Sequence, residues 1–226
     1  RMWTEERLDS DDMTAELVRG RELRPVFDDL DDLLDIHSMT SFSPPLMLIN
    51  HLDKHIAMAR KTGYPADVAA GPVYAPGKRI IEYTPFDDTE TDKTAMLVEC
   101  GEHWAKATGE VARDTALHFL VATGIMTADE AAEHFHRKDK PTQRVMEVTH
   151  GVTAISNDFR FVESFVGCEQ FEKAGTPVAE DGDATIVTPY ANCVLIMPNH
   201  RSKGGQRAAR FARVLGIGLY PLEDGC

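Results

Sequence analysis

Leu33-Leu34-Asp35-Ile36-His37-Ser38-Met39-Thr40-Ser41 is an apolar run that breaks into polar residues, and Pro44-Pro45 then leads into a second apolar run, Leu46-Met47-Leu48-Ile49. The pattern reads as strand, polar turn, strand, with strands over 32–36 and 46–49. Side chains alternate along a strand, so Asp35 and His37 point to the same side. A carboxylate two residues before a strand-end histidine can accept a hydrogen bond from one ring nitrogen, leaving the other for a metal. A histidine in an ordinary polar turn is the plainer alternative.

A second apolar run, Ala95-Met96-Leu97-Val98, ends in Glu99-Cys100-Gly101-Glu102-His103-Trp104. Open α/β sheets place ligands at the carboxyl ends of their strands, where Glu99 would stand. Gly101 permits a sharp turn or a close approach. His37 and Glu99 are thus expected at one sheet edge, as candidate metal ligand and general base.

Around these strands, helices are expected over 13–24, with Pro25 kinking or ending the first and a further turn open as far as Leu30, over 51–62, and from Trp104 to about Ala122. A short helix should run from Ala128 to near His136, with Thr127 as its N-cap. His51 and His55 read as exposed residues of the second helix. The stretch 64–93, rich in Pro and Gly, holds an expected short strand at Val68–Ala70 and a short helix near Lys78–Tyr83. Alternating strands and helices argue an α/β layer with a mostly parallel sheet and flanking helices. Near 138–142 charge and Pro141 interrupt the pattern. Short β-rich runs follow at 144–149, 159–165, 184–188 and 192–197, punctuated by glycine turns. The expected division is a catalytic α/β domain over 1–140 and a small antiparallel β domain over 141–226.

The motifs "DIHSMTSFSPPLML" and "TAMLVECGEHW", with the opening "RMW", resemble the succinylglutamate desuccinylase/aspartoacylase family. The resemblance implies a zinc-carboxypeptidase-like fold and hydrolysis of N-acyl amino acids, acetyl or succinyl, by metal-activated water. It implies Zn²⁺ as cofactor, His37 as a zinc ligand with Asp35 behind it, and Glu99 as general base. It further implies Arg1 as the arginine of an Asn-Arg pair that binds a substrate carboxylate. "TPYANCVLIMP" resembles the family's late tyrosine motif and makes Tyr190 a candidate substrate contact. The loop holding Lys78 and Arg79 is expected to shape the substrate pocket, with Arg79 as a candidate for charge stabilisation. The family takes two more zinc ligands from an H-x-x-E motif upstream of the Asn-Arg pair. No histidine here has Glu three residues on. The expectation is therefore a chain that begins inside the catalytic domain.

The charge of −13 over 226 residues argues against nucleic acid or an anionic membrane as partner, though not against an anionic small molecule. Apolar residues make up 42%, enough for a core. Cys100, Cys168, Cys193 and Cys226 are widely spaced without a C-x-x-C, which suits reduced thiols in a cytoplasm. A homo-oligomer is left open. Two other classes compete: a thiol hydrolase using Cys100 with His103, and a metal-free or inactive ligand-binding protein on a hydrolase scaffold. Cys100 should alternate away from Glu99, which counts against the thiol. Arg207, Arg210 and Arg213, three apart among apolar residues, read as a solvated face or a salt-bridging stripe.

Overall fold

The computed structural model describes residues 2–72, 77–137 and 139–217. Eleven strands are assigned among them. Eight make one mixed sheet in the order β1-β4-β2-β3-β5-β11-β10-β7. These are β1 (Asp32–Met39), β2 (Leu46–Ile49), β3 (Asp67–Ala70), β4 (Thr94–Glu102), β5 (Arg144–Thr153), β7 (Gln170–Phe171), β10 (Cys193–Ile196) and β11 (Arg207–Ile217). A second sheet joins β6 (Arg160–Phe161), β8 (Pro177–Asp181) and β9 (Ala184–Val187). The first part of the main sheet is largely parallel: β1 with β4, β2 with β3 and β3 with β5, with β2 antiparallel to β4. From β5 onward β11, β10 and β7 add antiparallel strands. The division expected at 140/141 thus falls between a helix and β5, while the sheet runs across it.

Period-two burial builds two layers on the central strands. Met47, Ile49, Met96, Val98 and Cys100 face helices α3 (Asp53–Thr62) and α5 (Lys106–Ala122), meeting Met58, Ala59, Phe119 and Ala122. Leu46, Leu48, Ala95 and Leu97 face the other way, onto Trp3, Leu8, Ile81, Tyr83 and Phe86. The second layer is built by residues preceding β1 and by the 78–87 loop. Gly63 ends α3 at φ +66°, a left-handed conformation that favours glycine.

Two local expectations change and one open choice is decided. Pro25 lies inside α2 (Ala15–Asp29), which continues past it to the end expected for a further turn near Leu30. Leu23 before it and Phe27 after it both pack on the core, which offsets one lost helical hydrogen bond. His55 is fully buried, not exposed, because α3 turns it onto the protein. Helix α6 (Ala128–Ala132) stops four residues before His136. Its start is as read, with Thr127 Oγ1 accepting from the Glu130 N–H.

Candidate active site

Because β1 and β4 are parallel neighbours, their carboxyl ends share an edge, and register sets His37 beside Glu99 and Asp35 beside Leu97. Paired residues point to the same face, so Asp35, His37 and Glu99 converge on the side opposite α3 and α5. Beyond this row the register slips. Cys100 and Gly101 together stand against Ser38 before Met39 meets Glu102. Gly101 absorbs that bulge at φ +127°, and a Cβ there would lie 2.9 Å from Thr108 Oγ1. Thr108 Oγ1 donates to the Glu102 carbonyl at 2.6 Å, so the start of α5 is drawn against the strand end.

Asp35, His37 and Glu99 line a cavity of about 580 Å³ with Trp3, Phe27, Leu48, Arg79, Met197 and Arg210. His37 Nε2 lies 3.0 Å from Asp35 Oδ1, which leaves Nδ1 as the other ring nitrogen. That hydrogen bond raises the His37 pKa against the opposing effect of burial. Glu99 is 8% exposed, and its Oε2 has no hydrogen-bond partner among the described residues. Burial raises its pKa, His37 pulls the other way, Asp35 adds to the rise, and Arg79 and Arg210 oppose it. The carboxyl is therefore held above its ordinary glutamate value, with burial as the main cause.

Arg79 reaches the cavity from the start of a 3₁₀ turn over Ile80–Glu82. Its Nε donates to Glu82 Oε2 at 3.2 Å, and its own backbone N–H donates to the same oxygen at 2.8 Å. Asn50, just past β2, holds that turn through Nδ2 to the Ile81 carbonyl at 2.7 Å and to Asp87 Oδ1 at 2.9 Å. Trp3 walls the cavity beside this turn, its backbone N–H donating to the Lys78 carbonyl at 3.3 Å and its ring 5.0 Å edge-on from Phe27 and 5.4 Å from Tyr83. Arg24 ties this wall together, pairing with Glu5 and Asp9 and donating to the Tyr83 hydroxyl.

The structure brings Asp35, His37, Glu99 and Arg79 into one cavity. Arg1 lies outside the described residues. Tyr190 is not among the residues lining the cavity. It packs against the cluster under the second sheet, its hydroxyl hydrogen-bonds Thr149 Oγ1, and the Arg213 guanidinium sits 4.6 Å over its ring. Cys100 is buried on the helix side, and burial pushes its thiol up to about 12. His103 Nδ1 instead hydrogen-bonds Ser38 Oγ at 2.7 Å. An inert thiol turned away from the cavity does not make a nucleophile.

Among the described residues no group of three or more His, Cys, Asp or Glu side chains is arranged to hold a metal ion. A catalytic zinc takes about three protein ligands. His37, oriented by Asp35, fits as one of them, but the described residues do not form the set. Sequence reasoning did not single out Trp3, Phe27 or Met197 for the cavity, and it read Arg210 as part of a solvated or salt-bridging stripe. Trp3 sits in the quoted "RMW" and had a signal; Met197, at φ +49° just past β10, had none.

No family model matches the chain, and no curated protein matches it. Solved structures do. Succinylglutamate desuccinylase from Vibrio cholerae superposes with a TM-score of 0.65 at 18% identity, over 95% of this chain and 64% of that one. A succinylglutamate desuccinylase/aspartoacylase from Rhodobacter sphaeroides gives 0.63 at 13% identity, over 92% and 66%. A point mutant of murine aminoacylase 3 gives 0.59 at 12%, over 97% and 78%. The chain thus spans less than two thirds of the length of the two bacterial proteins. The family resembled in sequence is also the family of these structures, and at such identities the likeness is one of fold.

Proposed function

We propose that this chain carries the general-base part of a deacylase site that hydrolyses the amide bond of N-acetyl or N-succinyl amino acids. The observation that carries the reading is Glu99, buried with Oε2 unpartnered among the described residues, in register with the Asp35-oriented His37 in a cavity wall. In this reading Glu99 Oε2 takes a proton from the water that attacks the acyl carbon. It returns that proton to the nitrogen of the leaving amino acid. The raised Glu99 pKa aids the second transfer without preventing the first. Asp35 fixes the His37 ring and holds a proton on Nε2. Arg79, anchored by Glu82, offers positive charge to the oxyanion that forms at the acyl carbonyl. Arg1 remains a proposed substrate contact by resemblance.

The zinc dependence of this reading rests on His37. Zinc, when bound, would bring the pKa of a bound water to about 7. The substrate proposed is a small N-acyl amino acid in a cytoplasmic setting, with no nucleic-acid or membrane partner. A metal-free binding protein is the second reading, favoured by His37 being the one histidine among the described residues lining the cavity.

The test is kcat and zinc content for Glu99→Gln and His37→Ala against a panel of N-acyl amino acids with zinc supplied. Glu99→Gln should keep its metal content and lower kcat by on the order of 10²–10⁴, the usual worth of a general base. KM should move little. Loss of zinc in Glu99→Gln would make Glu99 a ligand, and near-normal kcat would remove it as the base. Ligand binding without turnover in the parent chain would favour the second reading.

A further inference from the structure

The helix-covered side of the sheet carries a second cavity, of about 360 Å³, that shares no lining residue with the cavity holding Glu99. Ala107, Glu110, Val111 and Asp114 form its wall along α5. They are spaced i, i+3, i+4 and i+7, so one face of the helix is turned to it. Pro45, at the entry to β2, Tyr64, just past α3, and the pair His136 and Arg137, after α6, complete the wall.

The segment 136–137 is fixed to α5. Asp114, 1% exposed, accepts the backbone N–H of His136 through Oδ1 at 2.7 Å and that of Arg137 through Oδ2 at 2.8 Å. One helical turn earlier, Glu110 Oε2 lies 2.9 Å from His136 Nε2. The Asp114 carboxylate is thus committed to backbone, while Glu110 is held at the cavity by an exposed imidazole. The Arg137 side chain is exposed and forms no ion pair among the described residues. Tyr64 is 4% exposed, and its ring stacks on His118 at 5.3 Å, which in turn stacks on Phe135 at 4.3 Å. Its hydroxyl makes no hydrogen bond among the described residues. Burial raises its pKa, Asp114 adds to the rise and Arg137 opposes it, so the hydroxyl faces two groups of this wall. A tyrosine hydroxyl this deep in a protein usually has a partner, and here the cavity is where one would stand.

The wall therefore offers a guanidinium and a hydroxyl donor, a carboxylate acceptor, and apolar surface from Pro45, Ala107 and Val111. A simple anion would meet the Glu110 carboxylate, and a simple cation would meet Arg137. A zwitterion satisfies both. The volume falls in the range of small-molecule sites, about 300–1,000 Å³. We infer that this cavity is a second ligand site that binds a free α-amino acid with an apolar side chain. Arg137 and the Tyr64 hydroxyl take the carboxylate, Glu110 takes the ammonium, and Pro45, Ala107 and Val111 take the side chain. The site stands apart from the chemistry of Glu99, with the sheet between them.

The test is calorimetric titration of the full chain with L-leucine, with L-leucinamide, which lacks the carboxylate, and with 4-methylpentanoate, which lacks the ammonium. The parent chain should bind L-leucine more tightly than either by roughly tenfold or more, the scale of a lost charge-assisted hydrogen bond. This comparison needs no variant, so it stands whatever the variants do to folding. Arg137→Gln should weaken L-leucine by roughly tenfold or more, and its exposed position predicts an unchanged urea midpoint. Tyr64→Phe keeps the stack on His118 and should weaken L-leucine by roughly two- to tenfold. Glu99→Gln should leave L-leucine binding as it is. Absence of L-leucine binding, equal binding of the three compounds, or binding that survives intact in Arg137→Gln overturns the inference. Loss of L-leucine binding in Glu99→Gln would place the amino acid in the other cavity and overturn it equally.

Discussion

Replacing Glu99 with Gln should make the protein more stable relative to the parent as pH rises. Glu99 is 8% exposed, and one carboxylate oxygen lacks a partner among the described residues. Burial raises its pKa above the ordinary value of 4.5, against the lowering effect of His37, Arg79 and Arg210. A carboxyl raised on folding contributes its full stability below the unfolded pKa, where both states are protonated. As pH climbs past that point the unfolded chain releases the proton first. Stability then falls with pH until the folded carboxyl also ionises. The limiting slope is about 1.4 kcal/mol per pH unit for one proton. For a chain of this size each kcal/mol moves Tm by about 2–4 °C. Gln keeps the shape but cannot ionise. Its buried amide adds a pH-independent offset of about 1–3 kcal/mol at most, so the diagnostic is the change with pH and not the absolute difference. Thermal or urea unfolding of both proteins, from about pH 4 to about pH 8, gives the difference, which carries the Glu99 titration together with its coupling to His37. The advantage of Glu99→Gln should start to grow near the ordinary glutamate pKa and flatten above the raised one. A difference that stays flat, or that shrinks as pH rises, would refute the burial of an ionisable, under-partnered carboxyl at this site.

Further outcomes follow from the same geometry. Gly101→Ala should destabilise by more than about 1 kcal/mol, because φ +127° and Thr108 Oγ1 at 2.9 Å both oppose a Cβ; an unchanged urea midpoint would contradict the bulge. Cys100, with its thiol pushed up to about 12, should resist alkylation at neutral pH until the chain unfolds. Mass spectrometry that finds rapid native labelling at Cys100 would place it on the wrong side of the sheet. Arg24→Met should loosen the Trp3 wall by removing its links to Glu5, Asp9 and Tyr83, costing about 1–2 kcal/mol for a partly exposed network. Trp3 and Trp104 are the two tryptophans, and Trp104 is 95% exposed, so a shift toward wetter emission reports Trp3; unchanged emission and Tm would deny the network that role. Asp35→Asn should lower the His37 pKa, because the hydrogen bond that raises it is weakened. Protein stability due to that pair is present below the ordinary histidine pKa and fades as pH rises through the raised one. Histidine NMR titration showing no downward movement would break the Asp35–His37 pairing.

Residues close in sequence constrained one another through strand and helix geometry alone. Alternation over Leu33–His37 places Asp35 and His37 on one side, and alternation over Met96–Cys100 turns Cys100 away from Glu99; the structure has both arrangements. The strands at 46–49 and 94–99, the long helix ending at Ala122 and the Thr127 cap were equally legible, because apolar periodicity and capping chemistry are local. Strand pairing is not local. That β1 lies parallel to β4 with His37 against Glu99 depends on residues 62 positions apart finding one register. The same holds for β11, whose pairing with β5 and β10 extends the sheet past the expected boundary at 140 and carries Arg210 into the cavity while leaving Arg213 on Tyr190. His55 reads as a polar helix residue until the fold buries it. Local pattern determined which side of its own element each side chain takes; only the long-range pairing of the sheet decided which of those sides face one another.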